Sequence, residues 1–201
     1  MVSDVTAVMV FPIIPPPWFP EKRMVQASQL TLAGIVTKTA VVHTVTYFTA
    51  GALAYAFFDY RALWDEPVFD VYMRRMDDPL LMAGPLFQPI RGVLFGIVFY
   101  LLRREFFGRA YGWLTMWVVL VVIGMLSTFG PAPGSVEGLI YTTIPFSAQF
   151  GGGSIETIAQ ALSFSFIVFY WVSQPEKRWL TWVLTAAFLL VLAFSILGLL
   201  Q

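Results

Sequence analysis

Residues 179–200 read WLTWVLTAAFLLVLAFSILGLL. Apart from two indoles, Thr181, Thr185 and Ser195 carry its only polar side-chain groups. A helix that is apolar all round belongs against lipid or in a deep core. About 20 residues of helix cross the roughly 30 Å hydrocarbon layer of a bilayer, so this run is long enough to span one.

Four earlier segments have the same character. Residues 111–129 form a near-continuous Trp/Val/Leu/Ile run. Residues 155–173 carry Glu156 and Gln160 near their start, and residues 86–102 contain Pro89 and Arg91. Residues 39–58 form the first span, which can extend back as one helix to Gln26. Backbone groups in hydrocarbon have no water to bond, so each span is expected to be helical. The expected architecture is an all-α polytopic bundle of five spans (39–58, 86–102, 111–129, 155–173, 179–200) in one integral membrane domain, 1–201.

Composition agrees. Hydrophobic residues make up 58% of the 201 and charged residues 12%, about half the charged share of a soluble domain. A formal net charge of zero offers nucleic acid no basic surface. With no cysteine, disulfides, thiolate metal sites and thiol nucleophiles are excluded. A single histidine cannot supply two axial haem ligands within one chain. No metal and no cofactor is therefore expected. No His-Glu-x-x-His or Gly-x-Ser-x-Gly pattern occurs, so the reading leans away from an enzyme.

Five spans place Lys22, Arg23, Arg103, Arg104, Arg109, Lys177 and Arg178 on one side, and Arg61, Arg74 and Arg75 on the other. The positive-inside bias then puts the amino terminus inside and the carboxyl terminus outside. Trp113, Trp117, Trp171, Trp179 and Trp182 fall at the same inner boundary, where an aromatic belt is expected. Residues 1–25 are Pro-rich and read as an interfacial segment without a cleavable signal peptide. Residues 59–85 form an acidic outer loop, with an amphipathic surface helix expected over 67–76. Residues 130–153 form an apolar outer loop, expected to pack on the outer membrane face or to dip between helices. The expected location is the plasma membrane of a prokaryote, multi-pass.

Arg91 and Glu156 are ionisable residues inside apolar spans, where a charge left in lipid costs roughly 2.5–3.5 kcal/mol or more. Arg91 lies twelve residues before Arg103, and Glu156 fifteen before Trp171. At helical rise, both stand about 18–22 Å above the inner boundary. They are expected to meet as an ion pair, to line a ligand site, or to reach the outer interface separately, since long side chains snorkel. Gln88 shares a face with Arg91, and Gln160 and Ser163 share one with Glu156. Ser154 reads as the cap of the Glu156 helix. Glu137 and Tyr141 add polar groups in the outer loop. His43 reads as a hydrogen-bonded neutral histidine or a proton relay. Gly92 and Gly96 form a GxxxG for packing within the bundle or for a homodimer.

These residues predict an outward-facing polar cavity that binds or passes a small polar or amphiphilic molecule. Arg91 would hold its negative group, with Glu156, Gln160, Gln88, Glu137 and Tyr141 as the other candidate binding residues. The alternatives are an accessory subunit of a larger membrane complex and a membrane enzyme acting on a lipid head group through Glu137 or His43. Expected partners are the bilayer, a lipid or small amphiphile, and other membrane subunits or a second copy.

Overall fold

The computed structural model describes residues 27–58, 73–74 and 78–200. The expected interfacial segment 1–25, and residues 59–72 and 75–77 of the acidic loop with most of its surface helix over 67–76, lie outside the described residues.

Among the described residues the chain is all-helical. The long helix α1 (Leu32–Phe57) comes first. A single turn, α2 (Pro79–Met82), precedes α3 (Gly84–Leu101). A short α4 (Arg103–Phe107) turns the chain into α5 (Gly112–Val121), which runs on as a π-helical stretch, Val122–Leu126. Two short helices follow, α6 (Val136–Tyr141) and α7 (Phe146–Gln149). The bundle closes with α8 (Gly152–Ser173) and α9 (Arg178–Leu199).

Four of these helices are long and apolar enough to cross a bilayer: α1, α3, α9, and α8 with its lead-in from Phe146. The fifth apolar helix, Gly112–Leu126, is shorter. The expected run 111–129 breaks up because Ser127 N–H donates to Val122 O at 2.8 Å, a π-type bond that ends regular α-helix. The first helix starts between its two expected limits, where Thr31 Oγ1 accepts from Gly34 N at 3.2 Å and caps it. At the head of α2, Asp78 accepts from Leu80 N–H and Arg74, and the Arg74 hydrogen bond holds its carboxyl below the usual range.

Antiparallel α1 and α3 form the most extensive helix pair. A Cβ added at Gly92 would lie 2.4 Å from Ala40 Cα, and one at Gly96 would lie 2.7 Å from Val36 Cα. The GxxxG therefore serves packing inside the bundle: only glycine lets the backbones approach this closely. Beneath this contact the Phe95, Phe99, Phe106 and Phe164 rings pack at 5.4–5.6 Å between centroids, around fully buried Val168 and Met116.

One expected boundary residue, Trp117, and one lysine, Lys38, are tied into the bundle. Trp117 donates its indole N–H to Ile158 O at 3.2 Å, in the second turn of α8, so it does not belong to the aromatic belt. Lys38 Nζ donates to Trp171 O at 3.2 Å and caps the last turn of α8. Outside the core, α9 exposes Trp179, Trp182, Val183, Leu189, Leu190 and Phe194, an apolar face suited to hydrocarbon.

The glycine contact is testable. Gly92→Ala should destabilise the detergent-solubilised protein by about 1–3 kcal/mol, the usual cost of overpacking. Thermal unfolding should show a smaller loss for Gly124→Ala, where an added Cβ meets nothing within 4 Å.

Candidate functional site

The pairing of α3 with α1 sets up the site. Gly92 opposes Ala40, Gln88 contacts His43 and Gly84 opposes Tyr47. The last ten residues of α1, 48–57, therefore run beyond the start of α3. They meet the first half of α8 instead: a Cβ at Gly51 would lie 3.6 Å from Glu156 Oε1, and one at Gly152 would lie 2.8 Å from the Phe58 ring.

Between these two segments lies a cavity of about 420 Å³. Its apolar wall includes Leu53, Phe57, Phe58, Ile155 and Ile167. Its polar stripe is Thr46, Thr49, Glu156, Gln160 and Ser163. The stripe is rich in acceptors. Thr46, Thr49 and Ser163 donate their hydroxyl protons to Val42 O, Val45 O and Ala159 O at 2.8–2.9 Å, so each oxygen keeps lone pairs able to accept. Glu156 adds a carboxylate, and Gln160 an amide that can accept or donate.

Of the residues singled out in the sequence, Glu156 and Gln160 line this cavity, whereas Arg91, Gln88, Glu137 and Tyr141 do not. Arg91 is exposed and sits over the Phe95 ring at 5.9 Å. The ion pairs among the described residues include Arg74–Asp78 and Arg109–Glu105, but not Arg91 with Glu156. The reason is register. Arg91 adjoins Gly92, which opposes Ala40, whereas Glu156 opposes Gly51. Eleven residues of α1 separate those levels, roughly 16 Å of helix. The count from the inner boundary had put the two charges level because it took helices to start at a common plane.

Gln88 and His43 form a buried pair. Gln88 Nε2 donates to Gly84 O at 3.2 Å, which fixes the amide so that Oε1 faces His43 Nε2 at 3.2 Å. An amide oxygen only accepts, so Nε2 carries the imidazole proton and Nδ1 is the bare nitrogen. Nδ1 is buried without a hydrogen-bond partner, as are Thr39 Oγ1 and Ser165 Oγ. Phe95 and Phe164 pack on the imidazole edge-on at 5.0 and 5.1 Å.

Glu137 and Tyr141 belong to a cap built from residues 127–151. Its centre is Gln149, 2% exposed. Gln149 Nε2 donates to Gly138 O at 3.1 Å and Ile144 O at 3.0 Å, and Oε1 accepts from Gly134 N at 3.4 Å. Gly134 is held at φ +82°, a left-handed conformation natural to glycine. Ser154 does not cap α8. Its hydroxyl donates to Gln149 O at 2.6 Å, tying the cap to the helix that begins at Gly152. The sequence reading passed over Gln149, although a lone amide in a loop of Phe, Gly, Pro and Ile carries the same signal that drew attention to Arg91.

Among the described residues, no three of His, Cys, Asp and Glu gather closely enough to share a metal ion. Comparison with protein-family models, curated proteins and solved structures finds no match.

The buried pair predicts a sign. Gln88→Leu leaves the His43 Nε2 proton without an acceptor and should destabilise by about 1–3 kcal/mol, the cost of an orphaned buried donor. Adding His43→Leu should recover part of that loss, which a double-mutant cycle by thermal unfolding would read.

Proposed function

We propose that this chain is a multi-pass membrane protein whose α1–α8 groove binds a small amphiphile with a hydrogen-bond-donating head, such as an amine or a polyol. One observation carries the reading: a cavity of about 420 Å³ with an apolar wall and a single acceptor-rich polar stripe. Ligand pockets of roughly 300–1,000 Å³ have this make-up, mostly apolar with a few convergent polar groups. Among the described residues, an anionic head would face the Glu156 carboxylate and no cavity-lining cation, so the assignment of Arg91 to a negative group gives way. Leu53, Phe57, Phe58 and Ile167 would cover the tail.

The finer topology belongs to the same proposal: five spans including Gly112–Leu126, the amino terminus inside, the carboxyl terminus outside, in a prokaryotic plasma membrane. The seven-to-three division of Lys and Arg supports the orientation, as do Trp179 and Trp182, exposed beside Lys177 and Arg178. The groove then opens toward the outer leaflet. Binding needs no chemical step from the protein.

Native mass spectrometry of the chain extracted from its own membrane tests the site. Wild type should retain an amine- or hydroxyl-bearing amphiphile. Ala159→Trp, which fills the cavity, should abolish retention, and Glu156→Gln should weaken it about tenfold, the scale of one hydrogen bond to a charged group. Arg91→Ala should leave it intact. Equal retention by wild type and Ala159→Trp would end the proposal.

A further inference from the structure

The cap over residues 127–151 is inside-out. Its buried members are small or polar: Gly134, Ser135, Gly138 and Gln149. Its exposed members include Phe129, Val136, Leu139, Ile140, Tyr141 and Phe146, between 42% and 104% exposed. A segment meant for water places these classes the other way round. On α6, Val136, Leu139 and Ile140 are spaced i, i+3, i+4, so one whole face of that helix turns apolar side chains outward.

Part of the backbone of the cap is bonded from within. Besides the three bonds of Gln149, Ser135 Oγ accepts from Gly138 N at 2.9 Å and donates to Ala132 O at 2.6 Å. Thr142 Oγ1 donates to Gly138 O at 2.6 Å, and Thr128 Oγ1 to Gly130 O at 2.9 Å. Non-helical backbone survives at membrane depth only when its polar groups are paired or covered by protein. Polar side chains turned inward to bond the backbone meet part of that condition here.

The position of the cap agrees. Ser154 binds it to the first turn of α8, a helix of 22 residues, about 33 Å and so about one hydrocarbon thickness. With α8 filling that layer, the cap tied to its first turn would lie at the outer edge of the hydrocarbon, within the bilayer and not beyond it. The helix that leads into the cap, Gly112–Leu126, also exposes Val118, Val122 and Ile123.

We propose that the cap is seated in the bilayer, with Ile140 and Phe146 in contact with lipid and Gln149 as the hub that lets irregular backbone sit there. This rests on the membrane reading above. It goes beyond it by assigning a loop, and not only helices, to the lipid-facing surface.

The chain has no cysteine, so single cysteines can be placed without background. Ile140→Cys and Phe146→Cys would be spin-labelled in the full chain, reconstituted into phosphatidylcholine/phosphatidylglycerol vesicles. Collisions with oxygen, which concentrates in lipid, would be compared with those of a water-soluble nickel chelate. Ile123→Cys on the fifth helix serves as the lipid reference, and Glu176→Cys in the α8–α9 turn as the water reference. Both cap labels should follow Ile123→Cys, with an oxygen-to-nickel ratio several-fold above that at Glu176→Cys. A ratio equal to the water reference would overturn the proposal. Low access to both reagents would overturn it too, by showing a protein surface over the cap. If Ile123→Cys itself reads as water, the membrane reading fails, separately from the cap. Gln149→Leu, combined with Ile140→Cys, should loosen the cap and raise label mobility.

Discussion

The meeting of two backbones at Gly92 and Gly96 governs this bundle. A side chain at either position would collide with Ala40 or Val36, so the two glycines fix how closely and at what height α3 lies on α1. Everything at the functional end follows from that height. The contact seats Gln88 against His43 and Gly84 against Tyr47, which leaves the last ten residues of α1 with no α3 beside them. That overhang faces α8 and becomes one wall of the groove. In lipid the attraction between helices comes from close packing and hydrogen bonds rather than from hydrophobic burial, so a backbone contact of this kind matters more than a match of apolar faces.

A second constraint shapes the polar residues. With little water to turn to, most of them bond inward. Lys38 reaches a helix-terminal carbonyl, Trp117 a carbonyl of α8, Gln88 a histidine, and Gln149 three backbone groups of the cap. In the groove the hydroxyls have given their protons to the helix backbone and keep lone pairs able to accept.

Much of the fold was legible in one dimension. A helix such as 179–200 announces itself because lipid imposes one requirement, an apolar surface of sufficient length, and that requirement is written residue by residue. The break in the fifth helix was not legible, since a π-type bond at Ser127 depends on backbone geometry that Val122–Leu126 does not spell out. The candidate site was half legible. Glu156 and Gln160 stood out as polar residues in an apolar run, and both line the groove. Arg91 stood out for the same reason but lies elsewhere, and Gln149 was overlooked inside a loop.

The sequence by itself determined that the chain is helical, marked the four segments whose helices are long and apolar enough to cross a bilayer along with a fifth that proves shorter, and picked out the few residues that carry charge or hydrogen-bonding capacity within them. These are local properties, set by side-chain chemistry against a uniform solvent. Only the tertiary structure decided which of those residues meet. Residue counts from a boundary assume that helices begin at one level, whereas the axial offset of α3 against α1 is set by glycine contacts between segments some fifty residues apart. An offset of a few turns separates Arg91 from Glu156 and brings Glu156 to Gly51, and no periodicity within a single helix carries that information.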